Sequence, residues 1–126
     1  MSLTKVTSDV LEARYTDAAV ISGTTGTISV DWSAAGVYKM NAPLTGATTL
    51  NFTGFVTGQV LTIYNLSGNF GVTLDSDAAT SESFLKLAEQ DYDGSETSML
   101  QIECLAGGDN AVFVYSVAQY ASDNTI

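Results

Sequence analysis

Four short strands in close succession are predicted over residues 27–65, and they constrain the fold more than any other part of the chain. In the first, Ile28, Val30 and Trp32 alternate with polar residues, so one face of the pleated strand is apolar and the other is wet. The other three are predicted over residues 37–40, 48–53 and 59–64. Glycine, proline and small polar residues, which favour chain reversal, separate them. Because a parallel crossover needs a dozen or more residues, these short connections predict antiparallel pairing.

The rest of the chain continues the pattern, with further strands near residues 72–74, 84–87, 100–104 and 111–118. Both faces of the last strand are apolar, so it is either central in its layer or covered by a neighbouring subunit. About eight strands at this spacing predict an all-β fold, an antiparallel β-sandwich of jelly-roll type. The same alternation is also typical of a trimeric fibre domain, in which neighbouring subunits complete the core. The core is expected to contain Trp32, Phe52, Ile63 and Val114.

Residues 1–17 differ from the rest and are predicted to form a short helical or extended arm, followed by one β-domain over residues 18–126. Four apolar residues in the arm lie at helical spacing: Leu3, Val6, Val10 and Leu11. A helix of about two turns is marginal alone, so the arm must dock on something. Two roles fit this pattern: the arm attaches the chain to another protein, or it covers an edge of the chain's own sheet.

Charge and composition exclude several classes of function. Four basic residues face fourteen acidic ones, a net charge of −10. Without clustered lysine and arginine the chain is not expected to bind nucleic acid or anionic membranes. No apolar run is long enough to cross a bilayer, and no secretory signal is expected. The single Cys104 excludes an intramolecular disulfide and is compatible with assembly in a reducing cytoplasm.

No catalytic residue and no cofactor are predicted. The chain has no histidine, and it shows no nucleophile with a base, no phosphate loop and no zinc set. Asp31 and Glu103 lie on predicted strands, where the alternation sends both outward. The acidic segment 89–96 contains D-x-D-G-x-E, and its carboxylates are candidate calcium ligands: Asp91, Asp93 and Glu96. Because the full EF-hand spacing is missing, a solvated turn is the favoured interpretation, and the chain is predicted not to be an enzyme.

Aromatic side chains on the strands are candidates for contact with other molecules. Flat amphipathic rings fill protein interfaces or stack on sugars. The residues expected at a subunit interface are Tyr38, Tyr64, Phe113 and Tyr115. Burial between subunits is the favoured use, and contact with a host-surface glycan is the alternative.

Three segments together resemble a known family: TISVDWSAAGVY at residues 27–38, LTGATTLNF at 44–52 and GQVLTIYNLSG at 58–68. The pattern is similar to the β-domain that recurs in tail fibres and related virion appendages of tailed bacteriophages, and the likeness spans about residues 26–120. The opening SLTKVT also resembles the start of phage tail-spike and fibre proteins, where the N-terminus attaches to the particle. The chain departs from the family where an acidic loop and Phe-Leu-Lys-Leu replace a tryptophan-rich segment.

The resemblance implies a virion structural protein, assembled in the host cytoplasm, that forms a homotrimer. The favoured expectation is a capsid decoration or head-fibre protein that binds the major capsid protein and stabilises the shell. A tail-fibre or tail-tip subunit that contacts other tail proteins and contributes to host attachment is the first alternative. A carbohydrate-binding module without an assembly role is the second.

Overall fold

The computed structural model describes residues 18–87 and 90–126. Residues 1–17, which contain the predicted arm, lie outside the described residues. The described chain is all-β, which confirms the predicted class, and it contains no helix long and apolar enough to cross a membrane. Its strands are β1 (Ala19–Ile21), β2 (Gly26–Asp31), β3 (Val37–Met40), β4 (Thr48–Thr53), β5 (Val60–Leu66), β6 (Val72–Ser76), β7 (Ser81–Lys86), β8 (Thr97–Ala106) and β9 (Asn110–Tyr120).

The first seven strands alternate between two sheets instead of pairing with their neighbours in the chain. A six-stranded sheet has the order β1-β3-β5-β8-β9-β7, and a three-stranded sheet has the order β2-β4-β6. Ala19 lies opposite Tyr38 and Gly26 opposite Thr48, and each of the first four strands pairs in parallel with the strand two later. The first six strands therefore wind as three stacked coils, each with one strand in either sheet, as in a small β-solenoid.

The predicted antiparallel pairing is wrong for most of the sheet. Five strand pairs are parallel, namely β1/β3, β2/β4, β3/β5, β4/β6 and β7/β9. Among the described strands, β5/β8 and β8/β9 are the antiparallel pairs. The short connections carry the chain across to the opposite sheet, and a full coil of chain separates two paired strands. That separation satisfies the minimum length for a parallel crossover. Short connections are therefore compatible with parallel pairing in this fold and do not require a jelly roll.

Aromatic rings from both sheets meet in one core. Trp32 approaches Phe52 edge-on with ring centroids 5.6 Å apart, and Phe113 lies 5.7 Å from Trp32. Phe84 stacks on Phe113 at 4.9 Å, which brings β7 into the same cluster. Such pairs stabilise a core by about 1 kcal/mol each beyond the area they bury. The cluster therefore holds the three-stranded sheet against strands β9 and β7 of the six-stranded sheet.

The predicted core is largely confirmed. Trp32, Phe52 and Ile63 are buried, and so is Cys104. Val114 is half-buried and lies on the opposite side of β9 from the buried Phe113, because neighbouring residues of a strand point to opposite faces. Strand β9 lies between β8 and β7, so its two apolar faces belong to a strand that is central in its sheet.

Backbone hydrogen bonds join the turns at one corner of successive coils. Thr45 N–H donates to the carbonyl of Thr24 at 2.9 Å, and Leu44 N–H donates to that of Ser67 at 2.8 Å. Gly68 N–H in turn donates to the carbonyl of Gly94 at 2.9 Å. The acidic loop that contains Gly94 is thus the last layer of a stack of turns, which we call the corner ladder.

Glycine is required where the last two layers of the corner ladder meet. Gly68 has φ 109°, a left-handed conformation that favours glycine, and a Cβ there would lie 2.6 Å from the backbone nitrogen of Leu44. A Cβ on Gly94 would collide with the carbonyl of Gly68. The Tyr92 hydroxyl donates to the same carbonyl at 2.8 Å and fixes its position.

Gly94→Ala is expected to destabilise the protein by about 2 kcal/mol or more, because the ladder leaves no room for the added methyl group. Gly71→Ala is the matched control, since a Cβ there meets nothing within 4 Å and φ is not left-handed. Urea unfolding of both variants measures the difference. If the two midpoints agree within error, the acidic loop is not held by the ladder.

Candidate interaction surface

Apolar side chains cover the side of the six-stranded sheet that faces away from the core, which we call the outer face. Its exposed large hydrophobic residues are Val20, Val37, Val60, Tyr64, Leu85, Leu87, Leu105 and Tyr120. Exposure reaches 51% for Leu85, 54% for Val20 and 73% for Leu87. A monomeric protein rarely exposes a large continuous apolar patch, so this face is a candidate surface for interaction.

The strand register makes the outer face continuous. Leu85 lies opposite Val114, which lies opposite Glu103, which lies opposite Val60, so one row of side chains crosses four strands. A second row places Lys39 between Val20 and Tyr64. Neighbouring side chains in such rows are about 5 Å apart and contact one another. Between the two rows, Val37 lies opposite Thr62, Thr62 opposite Gln101 and Gln101 opposite Ser116, so the apolar residues share the outer face with a row of uncharged polar side chains.

The outer face is nearly free of charge. Of the charged residues in the described part of the chain, Lys39 and Glu103 alone occupy it. The others lie on the three-stranded sheet, on the core side of β7, or in loops and the C-terminal tail: Asp31, Asp75, Asp77, Glu82, Lys86, Asp91, Asp93, Glu96, Asp109 and Asp123. Depletion of charge around an apolar centre is characteristic of protein interfaces.

Of the four predicted interface residues, the structure places Tyr64 on the outer face. Phe113 is fully buried in the aromatic core, and Tyr115 is half-buried on the same side of β9. Tyr38 is buried and donates its hydroxyl hydrogen to the carbonyl of Asp31 at 2.6 Å, and its burial raises the pKa of the phenol. Tyr38 and Phe113 thus contact their own chain.

Sequence reasoning missed most of the outer face. Leu85 and Leu87 belong to the short apolar run that predicted a strand, but the run does not say which of its residues point inward. Phe84 contacts Phe113 in the core, so the alternation sends Leu85 and Leu87 outward. The available signal was the spacing of Leu85 and Leu87, which lie two residues apart and therefore point to the same side of a strand.

Tyr115 lines a cleft of about 170 Å³ that opens between β6 and β9. Aliphatic side chains of Leu66, Leu74 and Val117 form its walls, and Lys86, which is paired with Asp91, stands beside them. Of the predicted site residues, Tyr115 and Asp91 line this cleft.

The carboxylates of the acidic loop serve local contacts. Asp93 accepts hydrogen bonds from the Ser95 hydroxyl at 2.7 Å and the Ser95 N–H at 3.0 Å, which lower its pKa. Asp91 pairs with Lys86, and that hydrogen bond raises the pKa of the lysine. Within residues 18–87 and 90–126 no three acidic or sulfur side chains converge to hold a metal ion. The structure therefore does not bring Asp91, Asp93 and Glu96 together as a calcium site.

Two carboxyl groups that the sequence analysis did not single out interact where β6 of the three-stranded sheet approaches β7 of the six-stranded sheet. Asp75 on β6 and Glu82 on β7 lie near each other, and their interaction lowers the pKa of Asp75 and raises the pKa of Glu82. Glu82 keeps its proton above its ordinary pKa of 4.5 in the folded protein.

The carboxyl pair predicts a pH dependence of stability. Because folding raises the pKa of Glu82, its contribution is complete below pH 4.5 and is lost as the pH rises through the folded value. In Glu82→Gln the side chain stays uncharged at every pH, so it never repels the Asp75 carboxylate. The melting temperature of this variant should therefore rise relative to the wild type as the pH increases from 4.5 to neutrality. Glu96→Gln controls for net charge, and a gap between Glu82→Gln and the wild type that stays constant with pH would contradict the raised pKa of Glu82.

Neighbouring residues on β7 test the assignment of the two faces. Phe84→Ala is expected to lower the free energy of unfolding by about 2 kcal/mol or more, because the ring stacks in the core. Leu85→Thr is expected to change it by less than about 0.5 kcal/mol at low protein concentration, since the side chain is half exposed and threonine suits a strand. Equal losses in urea unfolding would show that Leu85 is packed within its own chain.

We found no match to this chain among protein-family models, curated proteins or solved structures. The interaction surface is therefore defined by the geometry of this chain alone.

Proposed function

We propose that this chain is a non-enzymatic structural protein of a bacteriophage virion, a capsid decoration subunit that associates with copies of itself and binds the major capsid protein. The observation that carries the proposal is the outer face, a largely apolar and almost uncharged surface on an otherwise acidic protein. The residue pattern similar to phage appendage domains supplies the virion context and favours a homotrimer.

The distribution of charge suits a protein displayed in many copies. A net charge of −10 keeps crowded copies soluble and makes them repel each other over most of their surface. The outer face is where that repulsion is weakest, so contacts are directed to it. Association through an apolar surface of this kind requires neither a cofactor nor a catalytic group.

A second candidate function, recognition of a host-surface glycan, is favoured by one observation. Tyr64 and Tyr120 meet edge to face with centroids 6.3 Å apart, and both rings are 39% exposed. The Tyr120 hydroxyl donates to the Asn65 side chain at 2.6 Å, which fixes the ring. Exposed rings held in this way offer a stacking platform for a sugar, in a tail-fibre subunit or in a carbohydrate-binding module.

Binding to purified particles tests the proposed function. The full chain is expected to saturate capsids at a fixed ratio and raise their melting temperature, because a decoration protein stabilises the lattice it binds. Deletion of residues 1–16 is expected to abolish this binding and leave the unfolding of the β-domain unchanged. Labelled protein imaged on particles then separates head from tail.

Two results would contradict the proposal. Capsids that neither retain the full chain in sedimentation nor change their melting temperature would exclude decoration. Binding to tail structures or to host glycans that is lost in Tyr64→Ala would instead support the second candidate, for which Tyr92→Ala, away from the outer face, is the control.

A further inference from the structure

We propose that the outer face is the surface through which copies of this chain bind each other, with Lys39 of each copy paired to Glu103 of the other. The inference rests on the proposed function for its biological setting and names the partner of that surface. It is carried by the size of the face, by the distribution of charge and by the positions of these two residues.

The outer face is large enough for a specific contact. Strands lie about 4.8 Å apart and residues rise about 3.3 Å along a strand, so six strands of about seven residues span roughly 24 Å by 23 Å. Two such faces in contact bury on the order of 1,000 Å², which reaches the range of specific interfaces. Because the exposed side chains are mainly valine, leucine and tyrosine, this burial is favourable.

The distribution of charge favours a second copy as the occupant. Elsewhere on the described surface acidic residues predominate, so a second copy that approached through those regions would meet like charge. The outer face combines a nearly neutral surface with exposed apolar side chains, so it can approach an identical, equally acidic partner with little repulsion. It also carries one charge of each sign, so the face is complementary to itself.

Lys39 and Glu103 lie on opposite sides of the centre of the outer face. Lys39 is on β3 beside Val20 and Tyr64, and Glu103 is on β8 beside Val60. Two strand spacings and four residues along a strand separate them, which is about 16 Å.

Each of these two charges sits among apolar neighbours, and the described chain supplies neither with an ion pair. Burial of an unpaired charge is costly, so a partner that covers this face must supply the opposite charge. A second copy does so at both positions, because a two-fold rotation that brings two outer faces together sets Lys39 of each copy beside Glu103 of the other.

Charge reversal of the full-length protein tests the pairing. Lys39→Glu and Glu103→Lys each place like charges in contact and are expected to raise the dissociation constant of the oligomer at least about tenfold. The double variant restores opposite charges and is expected to return to within about threefold of the wild type. Lys86→Glu and Asp109→Lys make the same changes of charge away from the outer face and should leave association unchanged. Sedimentation equilibrium gives the constants, and thermal unfolding confirms that each variant is folded.

Three results would overturn the inference: a wild-type monomer at about 100 μM, single reversals no weaker than their controls, or a double variant that stays dissociated. Particle binding separates this inference from the proposed function. Failure of the charge rescue with intact particle binding rejects the pairing alone. Successful rescue in a protein that binds no particle rejects the virion function and supports the pairing.

Discussion

Parallel stacking of one coil on the next is the constraint on which the rest of this structure depends. Each strand must keep its register with the strand a full coil away, and the registers of β2 with β4 and of β4 with β6 run without a break. The corner ladder fixes that register, because Leu44 and Gly68 join three layers by backbone hydrogen bonds. A shift of one residue at the corner would exchange the core side and the outer side of every following strand.

The register decides which residues meet in the core and which remain outside. Ile28 pairs with Leu50 and Val30 with Phe52, so the three-stranded sheet presents its apolar side inward. The six-stranded sheet is apolar on both sides, and its second side has no cover within the described chain. Strands buried on both sides are typically apolar on both sides, and this composition is the basis of our proposal that a second copy covers the outer face.

The sequence predicts strand positions well and strand partners poorly. Residues 37–40 and 48–53 were predicted as strands with the observed bounds, because period-two alternation is a local signal. Alternation does not say which strand lies alongside, and a turn after Met40 can lead either to a hairpin or to the opposite sheet. Of the residues predicted for a subunit interface, Tyr64 lies on the outer face. Leu85 was missed because its direction depends on the contact of Phe84 with Phe113, which are far apart in the sequence.

The two charges on the outer face show how one surface can be specific as well as apolar. An apolar sheet face without charge would associate with any similar surface, and exposed faces of that kind aggregate. Lys39 among apolar neighbours penalises every partner that lacks a carboxylate at the matching position, and Glu103 penalises every partner that lacks a cation. Because both residues belong to the same face, another copy of the chain can satisfy both at once, as we propose. Specificity then comes from the cost of wrong partners, while the valines and leucines around these charges supply the affinity.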